Sequence, residues 1–424
     1  MQKILIKNGH LVDPAQQIDG LYDILLEGDK VVQCSNNIND NNAKIIDAQG
    51  KYVFPGLIDI HVHLREPGGE SKETIYTGTR AAVKGGFTTI CCMPNTRPSL
   101  DNVPSVEYIN LKSEKDAVCN VYPVGCVTKG LDGTELAEIG SLVQAGVIAI
   151  SDDGCPVSNA FIMRRALEYC KIFDIPVISH CEDRDLAQFG VMNEGAVSTK
   201  LGLRGIPNAA EEVMVARDII LAEQTSGYVH IAHVSTKGSV ALIRDAKKRG
   251  VKITAETAPH YFTLTDFAVE GYNTYAKMNP PLRTAEDVAG IKEGLKDGTL
   301  DCIASDHAPH TKEEKNKEFD FAPFGIIGLE TELALAYQEL VLKEKLSLSS
   351  VIEKLTKNPA EVMRLKTKGS LKIGFDADLI IFDGNEKFKA NNFISKSSNS
   401  PFLGWELQGV INQTIVAGKV VYKS

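Results

Sequence analysis

The stretch Tyr52-Val-Phe-Pro-Gly-Leu-Ile-Asp-Ile-His-Val-His-Leu-Arg65 joins an apolar segment to a group of polar side chains. Its apolar half is typical of a buried strand. His61 and His63 lie two positions apart at the end of that strand, so their side chains face the same side. Two imidazoles that face one point are half or more of a transition-metal site. A pair of core histidines is the alternative interpretation, and other parts of the chain decide between the two.

Apolar strand-like segments and helical segments alternate after Pro55. The predicted strands are residues 57–60, 86–92, 117–122, 146–150, 175–179, 228–232, 251–255 and 301–305. The predicted helices between them include residues 73–84, 103–115, 159–173, 209–224 and 237–249. Eight such strands predict an α/β fold, a (β/α)8 TIM-like barrel. An open doubly wound sheet competes, but no glycine-rich dinucleotide turn follows the first strand.

Both ends of the chain have a different, β-rich pattern. Residues 1–53 contain short strands punctuated by Gly and Asn, and strand patterns return at residues 377–382 and 409–416. The first segment is too small for a core of its own. We therefore expect residues 1–53 and 367–424 to form one composite β-sandwich domain, beside a barrel of residues 54–366. The mixed charges of residues 312–317 predict a solvated loop.

Composition excludes several classes of protein. The 424 residues are 43% hydrophobic and 24% charged, as in ordinary globular proteins. No apolar run reaches the ~20 residues that span a bilayer, and the N-terminus lacks a signal-peptide core. Nine cysteines without a Cys-x-x-Cys pair indicate a reducing compartment, so we expect a cytoplasmic location. A net charge of −9 argues against a nucleic-acid surface and means that an anionic substrate needs local cations.

Polar residues at the carboxyl ends of barrel strands form the active sites of this fold. The residues at those positions here are His61, His63, Arg65, Asn95, Asp152, Asp153, His180, His233, Asp306, His307 and His310. Spacing leaves open which of Asp152 and Asp153 faces inward. His230 lies inside a strand and is interpreted as a core residue or a support for the ligands, while His260 stays unassigned. His307 is expected to point away from Asp306.

Four histidines and two carboxylates exceed the requirement of one metal ion, since a catalytic zinc takes about three protein ligands. Two ions ~3.5–4 Å apart, bridged by a carboxylate and a hydroxide, would use all of them. Imidazole and carboxylate ligands suit Zn²⁺, with Mn²⁺ or Co²⁺ as substitutes. Asp306 is then positioned to move a proton between water and a leaving nitrogen. The residues predict a metal-dependent hydrolase, and Arg65 indicates a substrate with a carboxylate or phosphate.

Two long motifs also resemble a known family. Asp59-Ile-His-Val-His-Leu-Arg-Glu-Pro67 and Ala304-Ser-Asp-His-Ala-Pro-His-Thr-Lys-Glu-Glu-Lys315 are similar to the signature stretches of dihydroorotases, a branch of the amidohydrolase superfamily. Shorter matches are Met93-Pro-Asn-Thr96, Ser151-Asp-Asp-Gly154, Ser179-His-Cys-Glu182, Ala232-His-Val-Ser235 and Met278-Asn-Pro-Pro-Leu-Arg283. The resemblance covers essentially the whole chain. It implies reversible cyclisation of N-carbamoyl-L-aspartate to (S)-dihydroorotate and water, a step of de novo pyrimidine biosynthesis.

The resemblance also implies a role for each site residue. Two Zn²⁺ ions per subunit would be held, the first by His61, His63 and Asp306 and the second by His180 and His233, with Asp153 shared. Asp306 would be the general acid and base. The substrate would be bound by His63, Arg65, Asn95, Asn279, His310, Phe324 and Gly325. A homodimer and an association with aspartate transcarbamoylase stay open.

The predicted bridging residue distinguishes between branches of the cyclic-amide hydrolases. Hydantoinases, dihydropyrimidinases and many allantoinases use a carboxylated lysine as the bridge, whereas the fourth strand here ends Ile148-Ala-Ile-Ser-Asp-Asp-Gly154. An aspartate bridge is similar to class I bacterial dihydroorotases. The rival functions are a hydantoinase or allantoinase, and a non-catalytic homologue that scaffolds aspartate transcarbamoylase. Such scaffolds typically lose metal ligands, and all six predicted ligands are present here.

Overall fold

The computed structural model describes residues 3–424, so Met1 and Gln2 of the predicted terminal domain lie outside the described residues. The strands are β1 (Lys3–Asp13), β2 (Ile18–Glu27), β3 (Lys30–Ser35), β4 (Lys44–Asp47), β5 (Tyr52–Pro55), β6 (Leu57–Val62), β7 (Phe87–Cys92), β8 (Asn120–Pro123), β9 (Ile150–Ser151), β10 (Val177–Ser179), β11 (Met192–Asn193), β12 (Gly205–Ile206), β13 (Val229–Ile231), β14 (Ile253–Thr257), β15 (Cys302–Ile303), β16 (Leu379–Lys389), β17 (Glu406–Val416) and β18 (Lys419–Lys423).

The helices lie mainly between the middle strands. They are α1 (Ile75–Lys84), α2 (Val103–Asp116), α3 (Ile139–Gln144), α4 (Ala160–Cys170), α5 (Arg184–Ala187), α6 (Ala196–Leu201), α7 (Asn208–Thr225), α8 (Lys237–Lys248), α9 (Pro259–Thr263), α10 (Ala285–Asp297), α11 (Lys312–Lys315), α12 (Glu332–Ala336), α13 (Leu348–Glu353) and α14 (Lys357–Val362). Thr74 begins α1 with a capping box completed by Thr77, which satisfies backbone N–H groups that the first helical turn leaves free.

Eight parallel strands close into a barrel. Hydrogen-bonded pairing joins β6 to β7 and β8, and joins β9, β10, β13, β14 and β15 in that order. Single parallel bridges complete the circle, from Gly125 to Ile150 and from Val62 to His307. The (β/α)8 barrel predicted from the sequence is therefore confirmed. The strands β11 and β12 form a separate small sheet in the long connection after β10.

Side chains of the barrel strands alternate between two cores, as the two-residue period of a strand requires. Ile58, Ile60 and Cys91 belong to the core inside the barrel. Leu57 and Phe87 belong to the larger core between the strands and the surrounding helices. Because both faces of β6 and β7 are buried, their sequences are almost continuously apolar, and the polar residues Asp59 and His61 stand out.

The two chain ends share one sheet, as predicted. Its strand order is β18-β17-β16-β5-β1-β2-β3, with β4 paired to β1. Leu379 and Ile381 of β16 pack into the core of this sheet. Ile380 and Phe382 belong instead to the larger core between the barrel strands and the surrounding helices. The strand β16 therefore joins the terminal sheet to the barrel. The domain division at residues 53/54 and 366/367 stays a prediction.

Most predicted elements match their observed counterparts within a few residues; the helix predicted at residues 209–224, for example, is α7, Asn208–Thr225. The predicted solvated loop at residues 312–317 is wrong in part, because α11 occupies Lys312–Lys315 and Lys315 is buried. Among the described helices, none is long and apolar enough to cross a membrane.

We expect Phe382→Ala to lower the free energy of unfolding by about 3–5 kcal/mol, because truncation leaves a cavity between sheet and barrel. Phe382 is fully buried, with ring centroids 5.6 Å from Phe54 and 5.2 Å from Tyr337. Denaturant unfolding followed by circular dichroism measures the change. The control is Phe267→Ala, whose side chain is 64% exposed and should change stability by about 0.5 kcal/mol or less. Equal destabilisation by both variants would contradict the role of Phe382.

Candidate metal and substrate site

The first group of candidate ligands lies where β6 and β15 end. The Nε2 atom of His63 is 3.2 Å from Asp306 Oδ1 and 3.4 Å from Asp153 Oδ2. The Nε2 atom of His61 is 3.3 Å from Asp153 Oδ1 and 3.7 Å from Asp306 Oδ1. All four side chains are almost fully buried. Barrel closure thus brings residues from the first, fourth and eighth barrel strands to one point.

The second group shares Asp153. His180 follows β10 and His233 follows β13, and His180 Nδ1 is 2.8 Å from His233 Nε2. Asp153 Oδ1 lies 3.6 Å from His180 Nδ1 and 3.4 Å from His233 Nε2. Because the oxygens of Asp153 face both groups, this carboxylate is a candidate ligand shared by the two.

The donor set fits metal ions rather than a purely hydrogen-bonded core. The buried atoms His61 Nε2 and Asp153 Oδ1 have no hydrogen-bond partner among the described residues. Ligand atoms about 2.0–2.2 Å from a tetrahedral zinc lie about 3.3–3.6 Å from one another, which resembles most of the separations above. Burial raises the pKa of the Asp153 carboxyl, but the charge of His61 and the nearby imidazoles of His180 and His233 outweigh it and hold that pKa well below its usual range.

Asp152 has a different role from its neighbour. Its Oδ1 accepts hydrogen bonds from the backbone N–H groups of Val127 and Thr128, at 2.8 and 3.1 Å, and its Oδ2 accepts from the Thr128 hydroxyl. These contacts anchor the loop after β8 and turn Asp152 away from the histidines. The geometry therefore favours Asp153 as the bridging ligand.

A carboxylate behind His61 was missed by sequence reasoning. His61 Nδ1 lies 2.6 Å from Glu256 Oε1, and the other oxygen of Glu256 lies 3.2 Å from His230 Nε2. Burial opposes the charge of Glu256, but His61 and His230 outweigh it and keep its pKa below the usual range. The contact holds the His61 ring with Nδ1 against Glu256 and Nε2 toward Asp153 and the other candidate ligands. His230 supports this carboxylate, and the available signal was an acidic residue inside the strand Ile253–Thr257.

His307 points away from the ligands, as expected. Its Nε2 lies 3.3 Å from Glu73 Oε2, and its Nδ1 accepts a hydrogen bond from the Gly328 N–H. His260 is buried beside Tyr261, with ring centroids 4.1 Å apart, and burial lowers the pKa of His260 to about 4. Neither residue belongs to the two ligand groups.

Three site residues have left-handed backbone conformations that ordinary side chains rarely adopt. The φ angles are +61° at Arg65, +36° at His233 and +47° at Asp306. Such conformations cost on the order of 1–3 kcal/mol each and persist only where the surrounding structure imposes them. At these three strand ends the strained backbone sets the direction in which Arg65, His233 and Asp306 leave the chain.

Two of the candidate substrate residues, Arg65 and Asn95, line a polar cleft of about 390 Å³ beside the ligands. Arg65 donates to the Pro309 carbonyl at 3.2 Å and contacts His310 Nε2 at 3.3 Å. Burial and the charges of Arg65 and Lys72 lower the pKa of His310 to about 3, so this imidazole is neutral. Arg65 has five N–H donors, and these two contacts leave the others available to an anion. Asn95 Oδ1 lies 2.9 Å from His63 Nδ1, which ties substrate and metal groups together.

The remaining predicted substrate residues surround the same end of the barrel. Asn279 donates from Nδ2 to Glu182 Oε2 at 2.8 Å, and its buried Oδ1 has no partner among the described residues. Phe324 packs against Ala187 and its neighbours in a small cluster after β10. The Gly325 N–H donates to the carbonyl of Lys277 at 3.0 Å, so this backbone runs beside the segment that carries Asn279.

A buried barrel with imidazole and carboxylate ligands at its strand ends defines a hydrolase of the amidohydrolase type. A family profile described as dihydro-orotase-like matches residues 50–239, and one described as amidohydrolase family matches residues 222–422. The chain is 57% identical to a dihydroorotase of Endomicrobium trichonymphae, covering 99% of this chain and 100% of the relative. It is 55% identical to a dihydroorotase of Acetivibrio thermocellus, covering 99% of both. The chain belongs to the dihydroorotase family of metal-dependent amidohydrolases.

Solved structures share the whole architecture. The L-hydantoinase (dihydropyrimidinase) of Arthrobacter aurescens superposes with a TM-score of 0.90 at 26% identity, covering 100% of this chain and 96% of that one. A dihydropyrimidinase of Brevibacillus agri gives a TM-score of 0.87 at 24% identity, covering 100% and 95%, which shows the fold alone. The comparison extends the fold assignment to both the barrel and the terminal sheet.

We expect Glu256→Gln to weaken metal binding by about 10–100-fold, because the amide no longer orients and polarises His61 as a carboxylate does. Competition with a chromophoric chelator measures the apparent Kd for Zn²⁺. The control is Glu168→Gln, which removes only a surface carboxylate paired with Arg164 and Arg165. Unchanged zinc affinity in Glu256→Gln would refute the supporting role of Glu256.

Proposed function

We propose that this chain catalyses the reversible cyclisation of N-carbamoyl-L-aspartate to (S)-dihydroorotate and water, a step of de novo pyrimidine biosynthesis. The observation that carries the proposal is Arg65, a half-buried guanidinium beside the ligand groups whose protein partners, Pro309 and His310, are uncharged. A guanidinium recognises a carboxylate through paired hydrogen bonds. The names of the full-length relatives support the same activity.

The proposal places two Zn²⁺ ions per subunit in the site, with Mn²⁺ or Co²⁺ as substitutes. His61, His63 and Asp306 would hold the first ion and His180 and His233 the second, with Asp153 shared between them. When bound, such a pair supplies an activated water and polarises a carbonyl. The close approach of seven ligand atoms from these six side chains supports this assignment.

Asp306 is proposed as the general acid and base. In ring opening its carboxylate takes a proton from water and delivers it to the ring nitrogen that leaves. In ring closure the same oxygen returns the proton as water departs. Burial raises the pKa of Asp306, but the hydrogen bond with His63 and the charge of His61 outweigh it and lower that pKa, which favours the form that accepts a proton.

The chain's other side chains would orient the substrate. Arg65, Asn95 and His310 are proposed to bind its retained carboxylate, and Asn279 its ring. His63 and the backbone of Phe324 and Gly325 would complete the enclosure. His63, His310 and Gly325 are buried, and burial strengthens polar contacts with a bound substrate on their side of the site.

The proposal extends to organisation and location. We assign residues 1–53 with 367–424 to one domain and residues 54–366 to the barrel domain. The substrate is a small molecule, and nine free cysteines support a reducing, cytoplasmic location. A homodimer and an association with aspartate transcarbamoylase stay predictions, which sedimentation with and without that enzyme would test.

Side-by-side assays test the activity. Purified, metal-loaded protein is given dihydroorotate, hydantoin and allantoin, and zinc content is measured in the same preparation. We expect turnover of dihydroorotate to exceed that of the other two by orders of magnitude. Preferred hydrolysis of hydantoin or allantoin would support the rival cyclic amidases. Two bound metals without turnover of any substrate would instead support the scaffold function.

We expect His61→Ala to lose metal and activity together. Asp306→Asn should lower kcat by about 10²–10⁴-fold while much of the metal remains, because the amide cannot transfer the proton. Elemental analysis and steady-state kinetics on the same samples separate the two effects. His10→Ala is the control, since His10 lies in the terminal sheet, and it should keep both properties. Full activity of Asp306→Asn would refute the proton-transfer role.

The two reaction directions should respond oppositely to pH. Ring closure converts a dianion into a monoanion, so it takes up one proton. We therefore expect kcat/KM for closure to fall relative to kcat/KM for opening by about tenfold per pH unit, as proton linkage requires. Measuring kcat/KM in both directions between about pH 6 and 9 checks this. Parallel pH profiles of the two directions would contradict the proposed reaction.

A further inference from the structure

A buried lysine ammonium lies outside the two ligand groups. Lys315 is the last residue of α11, and only 1% of its surface is exposed. Its Nζ donates to three backbone carbonyls, those of Lys277 at 3.3 Å, Pro323 at 2.8 Å and Gly325 at 3.0 Å. An ammonium has three N–H donors, so every donor is used. A buried charge is tolerated only with such a complete set of partners.

A second ammonium holds the same segment. Lys277 Nζ donates to the carbonyls of Phe319 at 2.6 Å and Asp320 at 3.1 Å. It also lies 4.7 Å from the ring centroid of Phe324, within the range of a cation–π contact. A similar contact joins Lys277 Nζ to the Phe319 ring, at 5.3 Å from its centroid. We name residues 316–325 the closing loop. Six contacts from the two lysines therefore hold this loop, and four of them are to the backbone carbonyls of residues 319, 320, 323 and 325.

The end of the closing loop touches the substrate side of the site. A Cβ atom added to Gly325 would lie 2.7 Å from Ala308 Cβ and 3.3 Å from His310 Nε2, so the backbone itself packs against this imidazole. Asn399 strengthens the junction, because its Nδ2 donates to the carbonyls of Ala308 and Gly325 and its Oδ1 accepts from the His310 N–H. A shift of Gly325 would therefore open the wall beside His310.

We propose that Lys315 is a positioning residue, whose buried ammonium fixes the Phe324–Gly325 backbone where it closes over the bound substrate. The inference rests on the proposed function, which assigns that backbone to the substrate. An apolar side chain at this position would remove one donor from each of these three carbonyls. The Pro323 carbonyl would lose the donor described for it, whereas the carbonyls of Gly325 and Lys277 would keep only Asn399 Nδ2 and the Gly325 N–H. The closed arrangement would then be less populated, and apparent substrate affinity falls in proportion to that population.

The charge state of Lys315 makes its hold on the Phe324–Gly325 backbone depend on pH. Burial and the neighbouring charge of Lys277 lower the pKa of Lys315 to about 7, while the charge of Glu314 acts in the opposite direction. Lys277, which holds the same loop, also titrates near this range, because burial lowers its pKa to about 8 while the charge of Asp320 acts in the opposite direction. His310 lies beside the loop and is neutral across this range. Below about pH 7 the ammonium offers three donors. Above it, the neutral amine offers two donors and turns a lone pair toward carbonyl oxygens.

Lys315→Met tests the proposal, with Lys317→Met as matched control because Lys317 is exposed in the same loop. We expect Lys315→Met to raise KM for dihydroorotate about tenfold or more, with kcat within about threefold and zinc content unchanged. Hydrogen exchange in residues 316–325 should become faster in this variant alone. Unchanged KM and exchange would overturn the proposal, as would a loss of zinc that accounts for the whole defect.

Wild-type protein and Lys315→Arg keep the proposal testable if Lys315→Met does not fold. In the wild type, KM for dihydroorotate should rise between about pH 6.5 and 9, and the protection of residues 316–325, which is their exchange rate relative to the intrinsic rate at each pH, should fall. The permanently charged arginine should flatten this rise, although its planar fork fits three converging carbonyls less well. Wild-type protection of residues 316–325 that stays constant over this pH range would refute the role of the Lys315 charge in holding the loop. Wild-type protein without dihydroorotate turnover would refute the proposed function, while exchange still reports on the loop.

Discussion

The closure of the barrel between its first and last strands is the constraint on which the site depends. The His63 N–H donates to the His307 carbonyl at 2.9 Å, directly where the ligands begin. Asp59 strengthens the same seam, because its carboxylate accepts from the N–H and hydroxyl of Ser305. Asp306 is 243 residues from His63 in the chain, yet this seam places their side chains 3.2 Å apart. Without it, each strand end would present isolated polar residues with no common centre.

Charge burial explains why the two ends of the site look so different. At the ligand groups, carboxylates and imidazoles converge, and some of their buried atoms have no hydrogen-bond partner among the described residues. Burying such groups costs free energy unless cations bind them. At Lys315 the buried charge is already complete, because three carbonyls occupy its three donors. The first arrangement is therefore built to receive ions, whereas the second is built to hold backbone. The same physical cost, desolvation of a charge, yields a binding centre in one place and an anchor in the other.

The sequence predicted much of this because strand periodicity is local. Two-residue spacing placed His61 and His63 on one side, and the barrel rule placed the other candidate ligands at strand ends. Spacing could not choose between Asp152 and Asp153, since the choice depends on backbone N–H groups of Val127 and Thr128 that capture Asp152 from another strand. Glu256 was missed for the same reason, because its partner His61 is 195 residues away. The mixed charges of residues 312–317 predicted a solvated loop. The burial of Lys315 depends on carbonyls of Lys277, Pro323 and Gly325, which only the tertiary structure brings to its ammonium.

Substrate choice within this fold must lie in side chains rather than architecture, because solved hydantoinases superpose on the whole chain at low identity. The low pKa of His310 gives the relevant clue. Burial lowers that pKa, and the charges of Arg65, Lys72 and Lys315 lower it further. A positive potential that disfavours an imidazolium at this point favours an anion at the same point. The chain carries a net charge of −9, so this local reversal of sign supports the proposed binding of a dianionic substrate beside Arg65 and His310. Residues that set the potential therefore contribute to specificity even where they never touch the substrate.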